Sequence, residues 1–487
     1  MKKLIIILTA AVMAVSCSDH LEDLNKNIKD PTAVSGESLF ASAQKQLADQ
    51  IVTPNVNLNN LRLWVQHWQE TTYPDESRYD QTTRPIPANH WREMYRDVLK
   101  DLDEATKVIT ATDNDLTNEL KANKLAIIEV LNVYAYSNLV ETFGPIPYSQ
   151  ALDIDNPTPA YDDPLVVYKD LIARLTAASN SMNSGLGSFS SSEDLVYSGD
   201  VASWKKFANT LLLRMGLTLA DVDAGLSQAT AQAAVSGGVF SSNADSGAYH
   251  YSGAAPNNNP VNDNLVLSGR KDYVAGQTLV DAMNSLDDPR RASYFTLKDG
   301  EYIGGPIGAQ TVYSNYSHVA DAIQAGDFPG MLLSYVEAEF LLSEAAARGY
   351  AVGGDAESHY KAGITASFDY WGAGDATAYI ASGAVDYTTA LGASTSTPAW
   401  KQVIGTQAWI ALYNRTFAAY LSVRRLDYPI LVQPEEPESG YPVRYTFPVT
   451  EQTLNAGSYA DAVTLLGAGG DAPETKLFWD KFYTFDF

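Results

Sequence analysis

The apolar positions of this chain recur mostly at spacings of three and four, the period of a helix with one buried face. Ser38, Leu39 and Phe40 lead into Ala43, Leu47 and Ile51, and Pro54 ends that run. Residues 89–109 carry Trp91, Met94, Tyr95, Val98, Leu102, Ala105 and Ile109 on one stripe. Residues 117–141 repeat it with Leu120, Ile127, Ile128, Leu131, Tyr134, Ala135 and Leu139, and Phe143-Gly144-Pro145 is a stop signal. Asp162-Asp163-Pro164 offers a cap and an early proline for a helix reaching Met182, with a partner carrying Trp204, Phe207, Leu211, Leu212, Met215 and Leu219. A third pair joins 331–348 to 355–370 through Gly349, and a further helix spans about 400–422. The pattern predicts a mainly α protein built of about four helix pairs. Two similar helices joined by a turn resemble tetratricopeptide units, which recur at about 34 residues in tandem. Long insertions break the array here.

Residues 237–330 lose the helical period. They are rich in Gly, Asn, Ser and Tyr, contain Pro256, Pro260, Pro289 and Pro306, and allow one short helix near 275–286. Loops this long inside a compact protein are functional or disordered, and scattered aromatics argue against plain disorder. A shorter polar stretch covers 372–398.

The chain opens Met1-Lys2-Lys3, followed by an apolar run from Leu4 to Val15 and then Ser16-Cys17. That is the layout of a secretory signal peptide, and the run is shorter than the about 20 apolar residues of a membrane helix. Cys17 is the single cysteine of 487 residues. Ala14-Val15-Ser16-Cys17 resembles a loose bacterial lipobox, which would make Cys17 the lipidated first residue of the mature chain. The alternative is an ordinary secretory signal with an incidental cysteine. The expected division is a signal peptide over 1–16, a lipidated tether over 17–33 and one domain over 34–487. Within that domain, helical scaffold at about 34–236 and 331–487 brackets a loop-rich insertion at about 237–330.

The formal charge is -25, and losing Lys2 and Lys3 with the leader makes it more negative. Such a surface repels nucleic acid and anionic headgroups, and it favours solubility. A lone cysteine forms no intrachain disulfide, so packing must hold the fold. HExxH, GxSxG, Walker A and GxGxxG strings are absent, and six histidines lie scattered without metal-ligand spacing. No cofactor is expected. Plentiful Asp and Asn leave calcium open, although no EF-hand string occurs.

Candidate ligand contacts come from aromatic residues beside polar ones. Trp64 and Trp68 are four apart, as on one helix face, and Tyr73, Arg78 and Tyr79 follow with Asp75 and Glu76. Sugar rings have apolar C–H faces that stack on aromatics, and the charged neighbours can bond hydroxyls. The competing reading, favoured for the Trp pair, places both rings in the core. His67 reads as a structural hydrogen-bonder. Tyr249 and Tyr251 with Asn257 and Asn258 form a second candidate, a mix of flat area and donors that suits hydroxyl-rich ligands, against a plain surface loop. Tyr313 and Tyr316 beside His318 form a third. Asp287-Asp288-Pro289-Arg290 reads as a turn and hydrogen-bond hub rather than a catalytic carboxyl pair.

Several ordered strings resemble one family. They are Leu63-Trp64-Val65-Gln66-His67-Trp68 with Tyr73-Pro74-Asp75-Glu76-Ser77-Arg78-Tyr79; Trp91 to Leu102; Asp287-Asp288-Pro289-Arg290 with Gly304-Gly305-Pro306; Gln407 to Leu412 running to Arg424-Arg425-Leu426-Asp427-Tyr428-Pro429; and Glu474 to Asp480. With the lipobox and the acidic Ser18-Asp19 and Glu22-Asp23 behind it, the chain resembles the SusD-like (RagB-like) outer-membrane nutrient-binding lipoproteins of Bacteroidetes. Many members carry Glu-Arg-Arg and then Phe-Glu-Gly late in the chain. Gln407 to Tyr413 and Arg424-Arg425 stand here instead, which matches a divergent branch and not the starch-binding type. The resemblance implies four tetratricopeptide-like helix pairs with an irregular half packed on them. It implies a non-catalytic, surface-exposed lid that captures an oligosaccharide or peptide for a SusC-like TonB-dependent transporter. The competing classes are a secreted α-helical glycoside hydrolase and a structural or adhesion lipoprotein.

Overall fold

The first helix, Gly36–Val52, starts where Ser35 Oγ accepts the Ser38 amide at 3.2 Å, and it buries Phe40, Ala43, Leu47 and Ile51. A computed structural model of the protein describes residues 34–111 and 118–481. The leader and Cys17 therefore lie outside the described residues. A second helical run begins at Ile86, passes through a π-helical stretch at Glu93–Leu99 and continues as Lys100–Ala111 against the first. The helix Asn118–Phe143 is apolar nearly all round from Ala126 on, so it is buried on every side and forms the axis of the scaffold. At 1.5 Å per residue it is about 39 Å long. Gly144, at φ +89°, turns the chain out of it.

Around this axis the pairing differs from the spacing argument. Asn118–Phe143 packs most extensively on Pro164–Ser181, and Val201–Thr218 on Ala224–Gly237. The last of these has no large apolar stripe, only small residues in AGLSQATAQAAVSG, which is why the period does not reveal it. Asp223 caps it through the Leu226 amide. Asp163 caps Pro164–Ser181 through the amides of Leu165 and Val166. Tyr335–Ala347 packs on Ala356–Trp371, and Ala399–Ala411 on Thr416–Leu426.

Two boundaries are corrected. Residues 330–333 are a strand, antiparallel to Gly247–Tyr249, and the helix begins at Tyr335 after Ser334 caps Glu337. A short apolar run reads equally as strand or helix. The expected single helix over 400–422 is two, because the chain turns at Leu412 to Arg415 with Asn414 at φ +60°.

The segment from 237 to 330 is laced by backbone bonds rather than built of long elements. Trp68–Glu70 pairs with Tyr273–Ala275, the Gly305 amide donates to Ala275, the Ser317 amide to Ile303 and the Thr296 amide to His318. The expected helix near 275–286 is present as Gln277–Ser285. The polar stretch 372–398 carries two short helices, Thr377–Ile380 and Tyr387–Ala393. A second apolar cluster, around Phe340, Ile364, Phe368 and Ile404, lies between the late helices.

One buried ion pair joins the two halves. Arg290 and Asp288 have fully buried side chains, and Arg290 donates to both Asp288 oxygens, to Ser367 Oγ at 3.0 Å and to Gln407 Oε1 at 3.2 Å. Its guanidinium lies 5.1 Å from the Phe368 ring. Burial works against the charge, but Asp288 outweighs it and raises the Arg290 pKa. Removing one partner of such a pair leaves an uncompensated buried charge and costs about 3–5 kcal/mol. Arg290→Ala should therefore lower the denaturant midpoint by that equivalent, and Arg290→Lys should not restore it, since an ammonium cannot reproduce the planar fork. A stability within about 1 kcal/mol of wild type for Arg290→Ala would disprove this role for the pair.

Candidate functional site

Most of the aromatic candidates are structural. Trp64 and Trp68 do not share a helix face: the helix Leu61–Trp64 is a single turn, Gln66 at φ +57° redirects the chain, and Trp68 opens a strand. Trp64 is sealed against Tyr420 and Tyr445 and donates to the Glu76 carbonyl. Trp68 donates to the Tyr413 hydroxyl at 2.8 Å, under the Arg62 guanidinium at 4.4 Å. Tyr79 is buried and accepts from Gln66 Nε2. Tyr249 and Tyr251 pack on each other inside, and Tyr251 donates to Asp49 Oδ1 at 2.9 Å. Asn258 is buried on Asp263. These six side chains have their polar atoms engaged indoors and present no accessible face. His67 donates to the Trp409 carbonyl at 3.0 Å, and burial lowers its pKa to about 3, so the ring is neutral.

Other candidates stay near the surface. Tyr73 is 58% exposed. Arg78 donates to the Gly308 carbonyl and pairs with Glu436 at 2.8 Å. Tyr313 stacks on His318 at 3.8 Å, and Tyr313, Tyr316 and Asn257 are half-buried. The Thr311 amide donates to Thr71, which brings the Tyr73 turn beside the Tyr313 turn.

A groove of about 650 Å³ opens next to them, lined by Phe295, Thr296, Leu297, Tyr302, Phe328, Tyr370 and Trp371 among others. Trp371 is the last residue of the helix Ala356–Trp371, and Gly372 at φ +63° ends that helix. Its carbonyl accepts from Ser293 Oγ at 2.8 Å, and its ring stacks near Phe328 at 6.2 Å and meets Tyr370 edge-on at 5.1 Å. Asn259 holds Phe328 in place by donating to its carbonyl at 2.7 Å. The loop nominated through Asn257 and Asn258 thus supports the groove instead of lining it. Thr296 in the groove wall exchanges bonds with His318, which ties the groove to the Tyr313 stack. None of the groove aromatics was nominated from the sequence. The available signal was a Trp-Gly at a helix end and Phe-Pro before an apolar run.

A second concavity, of about 720 Å³, lies on the helical scaffold between Lys100, Glu129, Tyr148, Asp170 and Arg174. Its charges are engaged with one another, Arg174 holding Glu129 through two bonds.

The Tyr73 turn is anchored by a carboxyl pair. Glu70 and Glu76 are buried, Glu70 Oε1 meeting Arg270 at 3.1 Å and Glu76 pairing with Arg84. Their Oε2 atoms are buried and have no hydrogen-bond partner among the described residues, so two carboxyls face a dry interior with one arginine each. Burial, then Glu76, pushes the Glu70 carboxyl well above the usual range, with Arg270 opposing and Asp272 adding to it. Burial raises Glu76 too, against Arg84. Sealed from solvent, the pair cannot reach a glycosidic oxygen.

A helical scaffold presenting an aromatic-walled groove defines a ligand-binding protein. A family model described as "Starch-binding associating with outer membrane" matches residues 27–448, so the chain belongs to the SusD-like family. The family is a non-catalytic, nutrient-binding class. Its members are typically surface-associated at the outer membrane and typically pair with SusC-like TonB-dependent transporters. A chitin-binding protein of known structure is 25% identical with a TM-score of 0.78, covering 92% of this chain and 100% of its own. A chitin-binding SusD homolog from Flavobacterium johnsoniae is 27% identical with a TM-score of 0.76, over 91% and 98%. A SusD homolog from Bacteroides vulgatus shares the fold at 23% identity, with a TM-score of 0.78 over 93% and 98%. No curated protein matches the sequence. Among the described residues no helix is long and apolar enough to cross a membrane, and no acidic, histidine or cysteine group has the arrangement of a metal site.

The raised Glu70 carboxyl has a pH signature. The native pair keeps a proton that the unfolded chain releases above about pH 4.5, so its contribution to stability falls as pH rises. Glu70→Gln keeps a buried hydrogen-bonding group without the titration. It should match wild type near pH 5 and exceed its denaturation midpoint at pH 8. Parallel pH slopes for the two proteins would contradict a raised Glu70 carboxyl.

Proposed function

We propose that this protein captures an oligosaccharide at the cell surface and passes it to a SusC-like TonB-dependent transporter, acting as a hinged lid. The observation that carries the ligand class is the groove formed by Trp371, Tyr370, Phe328 and Tyr302. Half-buried rings on a rigid frame offer flat apolar faces at low entropic cost, which suits the C–H faces of sugars. Tyr73, Arg78, Tyr313 and Tyr316 form the adjoining surface, reached through the Thr296–His318 and Thr311–Thr71 bonds, and extend the contact for a longer chain, while Asn257 belongs to the loop that supports the groove. The likeness to two chitin-binding structures supports a glycan over a peptide. We read the consecutive helix pairs as tetratricopeptide-like, residues 34–487 as one domain with its loop-rich insertion at about 237–330, and Cys17 as the lipidated residue after a signal peptide of 1–16. The family's non-catalytic character places both the hydrolase and the purely structural alternatives behind this reading.

Titration calorimetry against a panel of neutral and acidic oligosaccharides and peptides tests the ligand class. Trp371→Ala should weaken glycan binding about tenfold or more, the loss of one stacked aromatic anchor. Tight peptide binding, insensitive to Trp371→Ala, would overturn the reading. Fractionation tests the anchor: Cys17→Ala should move the protein out of the outer-membrane fraction, and retention there would contradict lipidation at this residue.

A further inference from the structure

A small pocket shares Phe328, Tyr370 and Trp371 with the groove, and Arg415, Asn414 and Ser334 are the polar residues of an otherwise mostly apolar lining. Its free volume is about 20 Å³. One water needs about 10–15 Å³ on this measure, so the pocket admits a small polar group and excludes a sugar ring. Arg415 is nine-tenths buried, and its Nη2 donates to the Leu332 carbonyl at 3.0 Å and to Glu337 Oε2 at 3.1 Å. Its Nη1 is buried and has no acceptor among the described residues. Arg214 occupies the same carboxylate, through Nε at 2.7 Å and Nη2 at 3.0 Å. Arg214 and Arg415 therefore share Glu337, Glu141 also lies in the field of Arg214, and Arg415 Nη1 is the donor left without an acceptor. Burial works to raise the Glu337 pKa, but Arg214 and then Arg415 outweigh it and hold the carboxyl below its ordinary value, so Glu337 stays ionised.

We infer that the glycan taken by the groove is acidic: its ring rests on Trp371 and Phe328 while its carboxylate enters the pocket and accepts from Arg415 Nη1. This rests on the reading of the groove as a glycan site and adds the class of sugar. A neutral carbonyl can also accept from Nη1, but a charged acceptor gains about 1.5–3 kcal/mol where a neutral one gains about 0.5–1.5. The unaccepted N–H of a charged guanidinium favours the charged acceptor.

The test compares, on the wild-type protein, oligogalacturonate, oligomannuronate and glucuronate-bearing xylo-oligosaccharide with their carboxyl-reduced counterparts, and a chito-oligosaccharide as a neutral carbonyl-bearing control. At least one acidic ligand should bind about tenfold more tightly than its reduced form. Arg415→Gln should abolish that difference, and Trp371→Ala should weaken both forms. The ligand-side comparison needs no variant, so misfolding of Arg415→Gln leaves it intact. Equal binding of acidic and reduced forms, or preference for the chito-oligosaccharide, overturns the acidic class while the glycan reading stands. No binding by any glycan removes both.

Discussion

The pairing of Arg290 with Asp288 is the constraint on which the site depends. Desolvating two charges costs several kcal/mol per ion, and only close geometry with further hydrogen bonds offsets it. Here the offset comes from three separate stretches of chain: the Asp288 turn, the helix bearing Ser367, and the helix bearing Gln407. The pair is satisfied only when all three are docked, so it works as a test of assembly as much as a source of stability. Ser367 lies one turn before Trp371, and Ser293, three residues after Arg290, accepts no freedom of its own because it holds the Trp371 carbonyl. The wall and floor of the groove are thus positioned by the same contact that joins the loop-rich insertion to the late helices.

Aromatic abundance does not locate a binding surface in this protein. Trp64, Trp68, Trp204 and Trp409 are all fully buried, and each indole N–H has an internal acceptor: the Glu76 carbonyl, the Tyr413 hydroxyl, Asp194 and the Val65 carbonyl. These rings do the work that disulfides do in smaller exported proteins, giving large apolar area and one directional bond each. What distinguishes Trp371 is its position. A helix stop beside a long polar loop leaves one face of the ring without a covering element.

The sequence shows the helices that bury large side chains at a regular period, and their caps. Asp163 sits at a real helix start, and Gly144 and Gly349 at real stops, while the first helix starts at Ser35, a little before the Ser38 that opens its apolar period. It does not show Ala224–Gly237, because small residues carry no hydrophobic stripe, nor the break at Asn414, where an L-residue adopts a left-handed conformation without a glycine or proline to announce it. The site is harder still. Spacing of four placed Trp64 and Trp68 together only while both were assumed helical, and one left-handed residue, Gln66, undoes that assumption. Tyr249 and Tyr251 look like a ligand loop by composition, yet the strand pairing of Gly247–Tyr249 with Gly330–Leu333 draws them inward. The groove is assembled from residues about 80 apart in the chain, and no local pattern encodes that meeting.

A capture protein that must surrender its ligand cannot bind it too well. Stacked aromatic contacts supply about 0.5–1.5 kcal/mol each beyond their buried area. A groove with two or three of them, open to solvent, gives modest affinity and fast exchange. A single buried cation beside it changes selectivity more than residence: it discriminates by what it would leave unpaired, while most of the ligand remains on the rim. If a transporter adds its own contacts to the exposed side of the same glycan, the two weak surfaces act together at high effective concentration. A shallow aromatic rim beside a narrow, mostly apolar pocket with one cationic group suits that division, since the rim is open to a partner and the pocket is not.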